Sequence, residues 1–121
     1  MPFPEAIART AVGAARDVGA RLIAVFTQTG DSARLISKER PPVPVVAFSP
    51  SEHIRRRVAL YWGVTPRVLQ PINDTDQMID AVQGHLQAGG FVSPGDKIVL
   101  VYGSPIAVTG RTNTVRIHQI Q

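Results

Sequence analysis

Largely apolar runs of strand length recur between helical patterns along this chain, at 22–26, 43–48 and 97–102, and that alternation narrows the fold more than any other feature. Strands that are apolar on both sides need cover on both sides. They imply parallel pairing, right-handed crossovers and helices on both faces of one sheet. With 121 residues, 44% hydrophobic and 18% charged, the chain can bury one core and is too short for two, so a single domain over 1–121 is expected.

Ile7, Ala11, Ala14 and Val18 recur at helical spacing behind Pro4, which predicts a first helix over 4–18 ended by Gly19. A strand over 21–26 follows, then a turn, then a short helix from about 32 to 38 that stops ahead of Pro41-Pro42. The run 43–48 is the second strand. Ser49-Pro50-Ser51-Glu52 offers a capping serine at 49, a first-turn proline and a glutamate three residues after Ser49, opening a helix lined by Ile54 and Val58 and ended at Gly63. Residues 64–69 read as a third strand, which Pro66 assigns to a sheet edge. Asn73, Asp74 and Thr75 compete to cap a long helix carrying Met78, Val82 and Leu86 until Gly89-Gly90. After a turn at 93–96, residues 97–102 form a fourth strand, 103–110 a loop and 112–120 a last strand. In that last strand Val115 and Ile117 face one way and Thr114, Arg116 and His118 the other, predicting one wet face. The loop-only link to it demands antiparallel pairing. With the first strand central, strands one and four meet at the topological switch point, and their carboxyl ends frame a crevice between the 27–32 turn and the 103–110 loop.

The turn itself carries the chemistry. A buried strand delivers Thr27, Thr29 and Ser32 to a helix N-terminus, and Gly30 relieves the backbone. The product is a concave cluster of N–H and O–H donors suited to a phosphate group. Composition removes several alternatives. There is no cysteine, which excludes disulfides, thiolate metal sites and cysteine nucleophiles. No run reaches the eighteen or so apolar residues of a membrane span, and no secretory signal pattern opens the chain, so a cytoplasmic location without a membrane partner is expected. The net charge of +4 is almost wholly arginine and is spread along the chain. Arg55-Arg56-Arg57 reads as a solvated helix side and not as a nucleic-acid contact. His53, His85 and His118 lack metal-ligand spacing and are placed at the surface. Trp62 reads as an anchor or a subunit contact, and Asp74, Asp76 and Asp80 as carboxylates favouring a helix start in preference to a cation site.

These same segments resemble the C-terminal domain of pyruvate kinase. The likeness runs from Glu5-Ala6-Ile7-Ala8 through Thr27-Gln28-Thr29-Gly30-Asp31-Ser32-Ala33-Arg34, Ser37 to Pro41, Val43 to Ala47 and Leu60-Tyr61-Trp62-Gly63-Val64 to Gly95-Asp96 and Gly110 to Val115. The resemblance implies a three-layer α/β/α domain with a five-stranded mixed sheet of order 3-2-1-4-5, its last strand antiparallel. It implies a domain that performs no chemistry, binds a phosphorylated effector and contributes to a homo-oligomer interface. By position, the effector phosphate falls on Thr27, Gln28, Thr29, Gly30, Asp31 and Ser32, and an effector loop on 103–110, with Gly103, Ser104, Thr109 and Gly110. The catalytic barrel of that family, with its lysine, carboxylates, magnesium and potassium, has no counterpart here, so no cofactor or metal is expected in this chain.

Two departures bear on the ligand. Asp31 sits where the family often has a basic or hydroxyl residue, and two unit charges about 4 Å apart at an effective dielectric near 20 interact by about 4 kcal/mol. Asp31 can instead cap the helix in place of an anion, with Arg34 in reach to pair with it. Between Gln70 and Asp80, Asn73, Asp74 and Asp76 replace the aromatic and arginine that grip the far end of a bisphosphate in the family. A monophosphate, or no effector, is therefore favoured over a bisphosphate. Three classes remain: a regulatory ligand-binding module, a domain serving assembly alone, and a small enzyme on a phosphorylated metabolite. The last is disfavoured because no histidine or lysine lies near the crevice in sequence to act as base.

Overall fold

A computed structural model describes residues 2–103 and 112–121. The elements in chain order are α1 (Phe3–Val18), β1 (Leu22–Phe26), α2 (Asp31–Lys38), β2 (Val45–Ser49), α3 (Glu52–Val58), β3 (Val64–Val68), α4 (Thr75–Ala88), β4 (Lys97–Gly103) and β5 (Thr112–Gln119). One five-stranded sheet has the order β3-β2-β1-β4-β5. β1 pairs in parallel with β2 and β4, β2 with β3, and β4 pairs antiparallel with β5. The expected topology is the observed one.

Alternation along the strands divides the core into two layers. Ile23, Val25, Val45, Ala47, Val99 and Val101 pack beneath α1, α2 and α3, whereas Leu22, Ala24, Phe26, Val46, Phe48 and Leu100 pack beneath α4. β1 is buried at every position because helices cover both its faces. The tightest residues of α1 are Ala8, Ala11, Val12 and Ala15, while Ile7, Ala14 and Val18 pack only partly against the core. Small side chains bring that helix close to the sheet. On the opposite face, α4 buries Met78, Val82 and Leu86 almost completely, each contributing about 1.5–3 kcal/mol of transfer free energy. Asp74 caps α4 by accepting the Gln77 N–H at 2.9 Å, which settles the contest among 73, 74 and 75.

Two expectations are corrected. Ser49 does not cap α3; it closes β2, where its carbonyl accepts the Leu69 N–H at 2.8 Å. Ser51 is the cap, accepting the Ile54 N–H at 3.2 Å, and the ladder to β3 decides between the two serines. The face expected to be wet on β5 is in part covered. His118 is half-buried and bonded to Gln83 of α4 at 2.9 Å, and Ile120 just beyond is 2% exposed. On the other face Val115 packs against the core and Ile117 remains 51% exposed.

Pro66 lies in β3 at the sheet edge, opposite Ala47, as its missing N–H requires. At the far end of the sheet from the 27–32 turn, Trp62 is half exposed. The Arg40 guanidinium lies 4.7 Å from its ring centroid, and Ser37 Oγ donates to its carbonyl at 2.7 Å.

Candidate functional site

β1 is central and paired with β2 and β4, so its carboxyl end opens at the switch point between β1 and β4. The chain leaves it at Thr27, whose N–H still continues the ladder to the Phe48 carbonyl at 2.9 Å. Thr27 is 2% exposed, and its Oγ1 accepts the Gly30 N–H at 2.8 Å. Gly30 is the N-cap of α2 with φ +95°, a conformation L residues rarely adopt. A side chain there would also meet Val58 Cγ2 at 3.4 Å and Arg57 Cδ at 3.5 Å. The turn is therefore pressed between β1 and α3.

Thr29 Oγ1 accepts the Asp31 N–H at 3.3 Å, and the Thr29 carbonyl accepts from Arg57 Nη1 at 3.1 Å. Asp31 is exposed in the first turn of α2 and 3.8 Å from Arg34. It pairs with Arg34, as its spacing predicts, but makes no cap; Gly30 at the N-cap has no side chain to offer, and the Thr27 and Thr29 hydroxyls accept the Gly30 and Asp31 N–H groups. The amides of Ser32 and Ala33, in the first turn, have no helical carbonyl four residues behind them, and they face the direction the helix dipole favours for an anion. Ser32 Oγ lies 2.6 Å from Thr112 Oγ1 at the start of β5. Beside that hydroxyl pair Pro4, Ile7, Ala8, Ile36 and Val101 line a shallow apolar crevice.

Thr27, Gln28, Thr29, Gly30, Asp31 and Ser32 thus stand together in one turn at the switch point. Gly103 ends β4 next to it, paired with Thr112 across a register irregularity. Ser104, Thr109 and Gly110 lie outside the described residues. Arg57, read from sequence as part of a solvated helix side, and Thr112, given no site role there, both contact the turn. Of the three consecutive arginines, Arg55 is held by Glu52 in a charge-assisted pair and Arg56 lies 3.8 Å from the same carboxylate. That hydrogen bond from Arg55 holds the Glu52 carboxyl below the usual range. Arg57 turns the other way, to the Thr29 carbonyl. Its signal is faint in sequence because the contact spans 28 positions.

Among the described residues no group of three or more histidines and carboxylates stands ready for a metal ion, and no helix is long and apolar enough to cross a membrane. The histidines are dispersed. His53 and His85 are exposed, with His85 edge-on to Phe48 at 6.0 Å, and burial lowers the pKa of His118. The side chains of the site offer hydroxyls, one carboxylate and two guanidiniums.

The family model described as pyruvate kinase, alpha/beta domain, matches residues 5–118. The pyruvate kinase of Clostridium acetobutylicum is 38% identical over 108 residues, which cover 89% of this chain and 23% of that protein. That of Lactococcus lactis subsp. lactis is 37% identical over 117 residues, 97% of this chain and 23% of that protein. The structure of Cryptosporidium parvum pyruvate kinase in complex with ADP superimposes with a TM-score of 0.89 at 32% identity, over 100% of this chain and 24% of that one. The chain spans about a quarter of the length of these relatives.

Proposed function

The chain belongs to the pyruvate kinase alpha/beta domain family, and from that premise we propose that it is a regulatory module, which binds a phosphorylated metabolite and passes its occupancy to a larger assembly. The observation that carries the reading is the 27–32 turn. Gly30 at φ +95° opens α2 beside the Thr27, Thr29 and Ser32 hydroxyls and under the Arg57 guanidinium, and the Ser32 and Ala33 amides have no helical carbonyl behind them. Backbone amides at a helix start, hydroxyl donors and a nearby cation are what a phosphate monoester needs. Asp31 opposes it, but Arg34 and Arg57 outnumber that one carboxylate. The chemistry of the parent enzyme, a phosphoryl transfer with its metal ions, would lie in the polypeptide that relatives carry beyond this domain. The cell compartment proposed is the cytoplasm.

Calorimetric titration with ribose 5-phosphate, fructose 1,6-bisphosphate and AMP tests the reading, on the wild-type chain and on Asp31→Ser. A monophosphate is expected to bind, and more tightly to Asp31→Ser. No heat from any of the three ligands with either protein removes the regulatory assignment.

Assembly is favoured by a separate observation. β5 is a sheet edge with Ile117 51% exposed, and Phe3, Leu60 and Trp62 are also large apolar side chains open to solvent at 61%, 85% and 52%. An unpaired edge with an apolar face is a template for a second chain. An effector acts on such an assembly only by binding one arrangement more tightly than another, so turn and interface must be coupled. Sedimentation of the isolated domain is expected to show self-association at high concentration, and a strict monomer contradicts the assembly role.

A further inference from the structure

Ser49 ends β2 with a hydroxyl that is buried, at 1% exposure, and without a hydrogen-bond partner among the described residues. A hydroxyl withdrawn from water with nothing in exchange is costly, and each such group in a folded protein calls for an explanation; use in a second state of the molecule is one. Its position suggests which state. Phe26 of β1 stands opposite Phe48 of β2, and the Thr27 N–H extends the ladder to the Phe48 carbonyl, so Thr27 and Ser49 form the next rung. Both follow residues of the same parity, Val25 and Ala47, which face α1, α2 and α3. By alternation both hydroxyls project to that face, beneath the 27–32 turn. Neighbouring strands lie about 4.8 Å apart, a spacing across which hydroxyls on one rung can bond in a suitable rotamer.

We propose that Ser49 is a positioning residue of the anion turn, donating its hydroxyl hydrogen to Thr27 Oγ1 when an anion draws the Gly30 N–H away from that oxygen. The inference rests on the anion-binding reading above. In the structure Gly30 N–H donates to Thr27 Oγ1 and the Ser49 hydrogen has no acceptor. After the exchange Gly30 N–H donates to an anion oxygen, Ser49 donates to Thr27, and the Thr27 hydrogen is free for the ligand. One more buried donor is satisfied. Opening the turn therefore leaves no acceptor orphaned, and the hydroxyl that weakens the empty protein strengthens the occupied one.

This predicts opposite effects from one substitution. Ser49→Ala should raise the melting temperature without ligand by about 3–8 °C. The same variant should bind inorganic phosphate and ribose 5-phosphate about three- to tenfold more weakly. A residue that only packs would leave affinity unchanged. Thr27→Val supplies the second arm: if Ser49 acts through Thr27, adding Ser49→Ala to Thr27→Val weakens binding no further. Binding by wild type with equal affinity in Ser49→Ala, or a lowered melting temperature in that variant, overturns the inference alone, as does an additive loss in the double variant. Failure of the wild-type chain to take up either ligand overturns the reading of the turn as well.

Discussion

Ser32 Oγ in the first turn of α2 and Thr112 Oγ1 at the start of β5 stand 2.6 Å apart, although 80 positions separate them in the chain. One hydroxyl hydrogen serves that contact and the other remains available. An anion accepts and cannot donate, so it selects the arrangement in which Thr112 donates to Ser32 and Ser32 donates outward. The same pair ties the turn at the end of the central strand to the first residue of the edge strand. Occupancy of the turn can therefore be felt at β5.

Replacing Thr112 by Val keeps the side-chain shape and leaves the half-buried Ser32 hydroxyl without its partner. The expected loss is about 0.5–1.5 kcal/mol in urea unfolding with an unchanged m value. Thr112→Ser should retain most of the stability. A loss in Thr112→Ser with none in Thr112→Val would instead assign the effect to the methyl group, which serine lacks and valine keeps.

Two glycines predict opposite signs for the same change. Gly30→Ala places a side chain at φ +95°, 3.4 Å from Val58 Cγ2, and should destabilise by about 1–3 kcal/mol. Gly13 lies inside α1, and a Cβ there meets nothing within 4 Å. Gly13→Ala should stabilise by about 0.5–1 kcal/mol, since alanine is the better helix former. Thermal denaturation of both variants checks the pair, and the reading of Gly30 fails if its alanine variant melts no lower than wild type.

Much of this architecture is legible in the residues because local and global rules agree. Pro66 selects an edge, the short link between 103 and 112 forbids a crossover, and the apolar run at 22–26 has to be central. Where two local solutions compete, tertiary pairing chooses. Ser49 and Ser51 both satisfy the rule for a helix cap, and only the ladder between β2 and β3 assigns the first to a strand. Periodicity in β5 separates two faces without saying which one α4 covers, so His118 reads as wetter than it is. At the site, the composition of 27–32 announces a donor-rich turn. The contacts that brace it, from Arg57 and Thr112, join positions distant in sequence and leave no local pattern.

His118 makes stability depend on pH in a definite direction. Burial first and then the charge of Arg116 lower its pKa, while Asp80 on α4 opposes them. The folded state thus binds a proton less readily than the unfolded chain. The His118 contribution is fully present above the unfolded value of 6.5 and is lost as the pH falls toward the lower folded value. His118→Gln should flatten the stability profile through that window. Urea midpoints at a series of pH values measure it, and an unchanged slope in the variant would assign the dependence to another group.

Charge at the mouth of the turn decides between an anion site and an ordinary capped loop. Asp31 and Arg34 lie 3.8 Å apart and are both exposed, and Arg57 donates to the Thr29 carbonyl. Two cations and one carboxylate therefore border the turn. Arg57→Met keeps an apolar stem over Gly30 and removes the guanidinium, so phosphate affinity should fall about three- to thirtyfold, or about 0.6–2 kcal/mol. Because the contact is exposed, unfolding stability should change by less than about 1 kcal/mol. Added salt should weaken ligand binding more in wild type than in this variant, since screening acts on the charge that was removed. Asp31→Ser should move affinity the other way. Titrations at two salt concentrations separate these effects; wild-type affinity and salt dependence in Arg57→Met would mean that the anion sits beyond the reach of this arginine, and the 27–32 turn would then be left with its amides and hydroxyls alone.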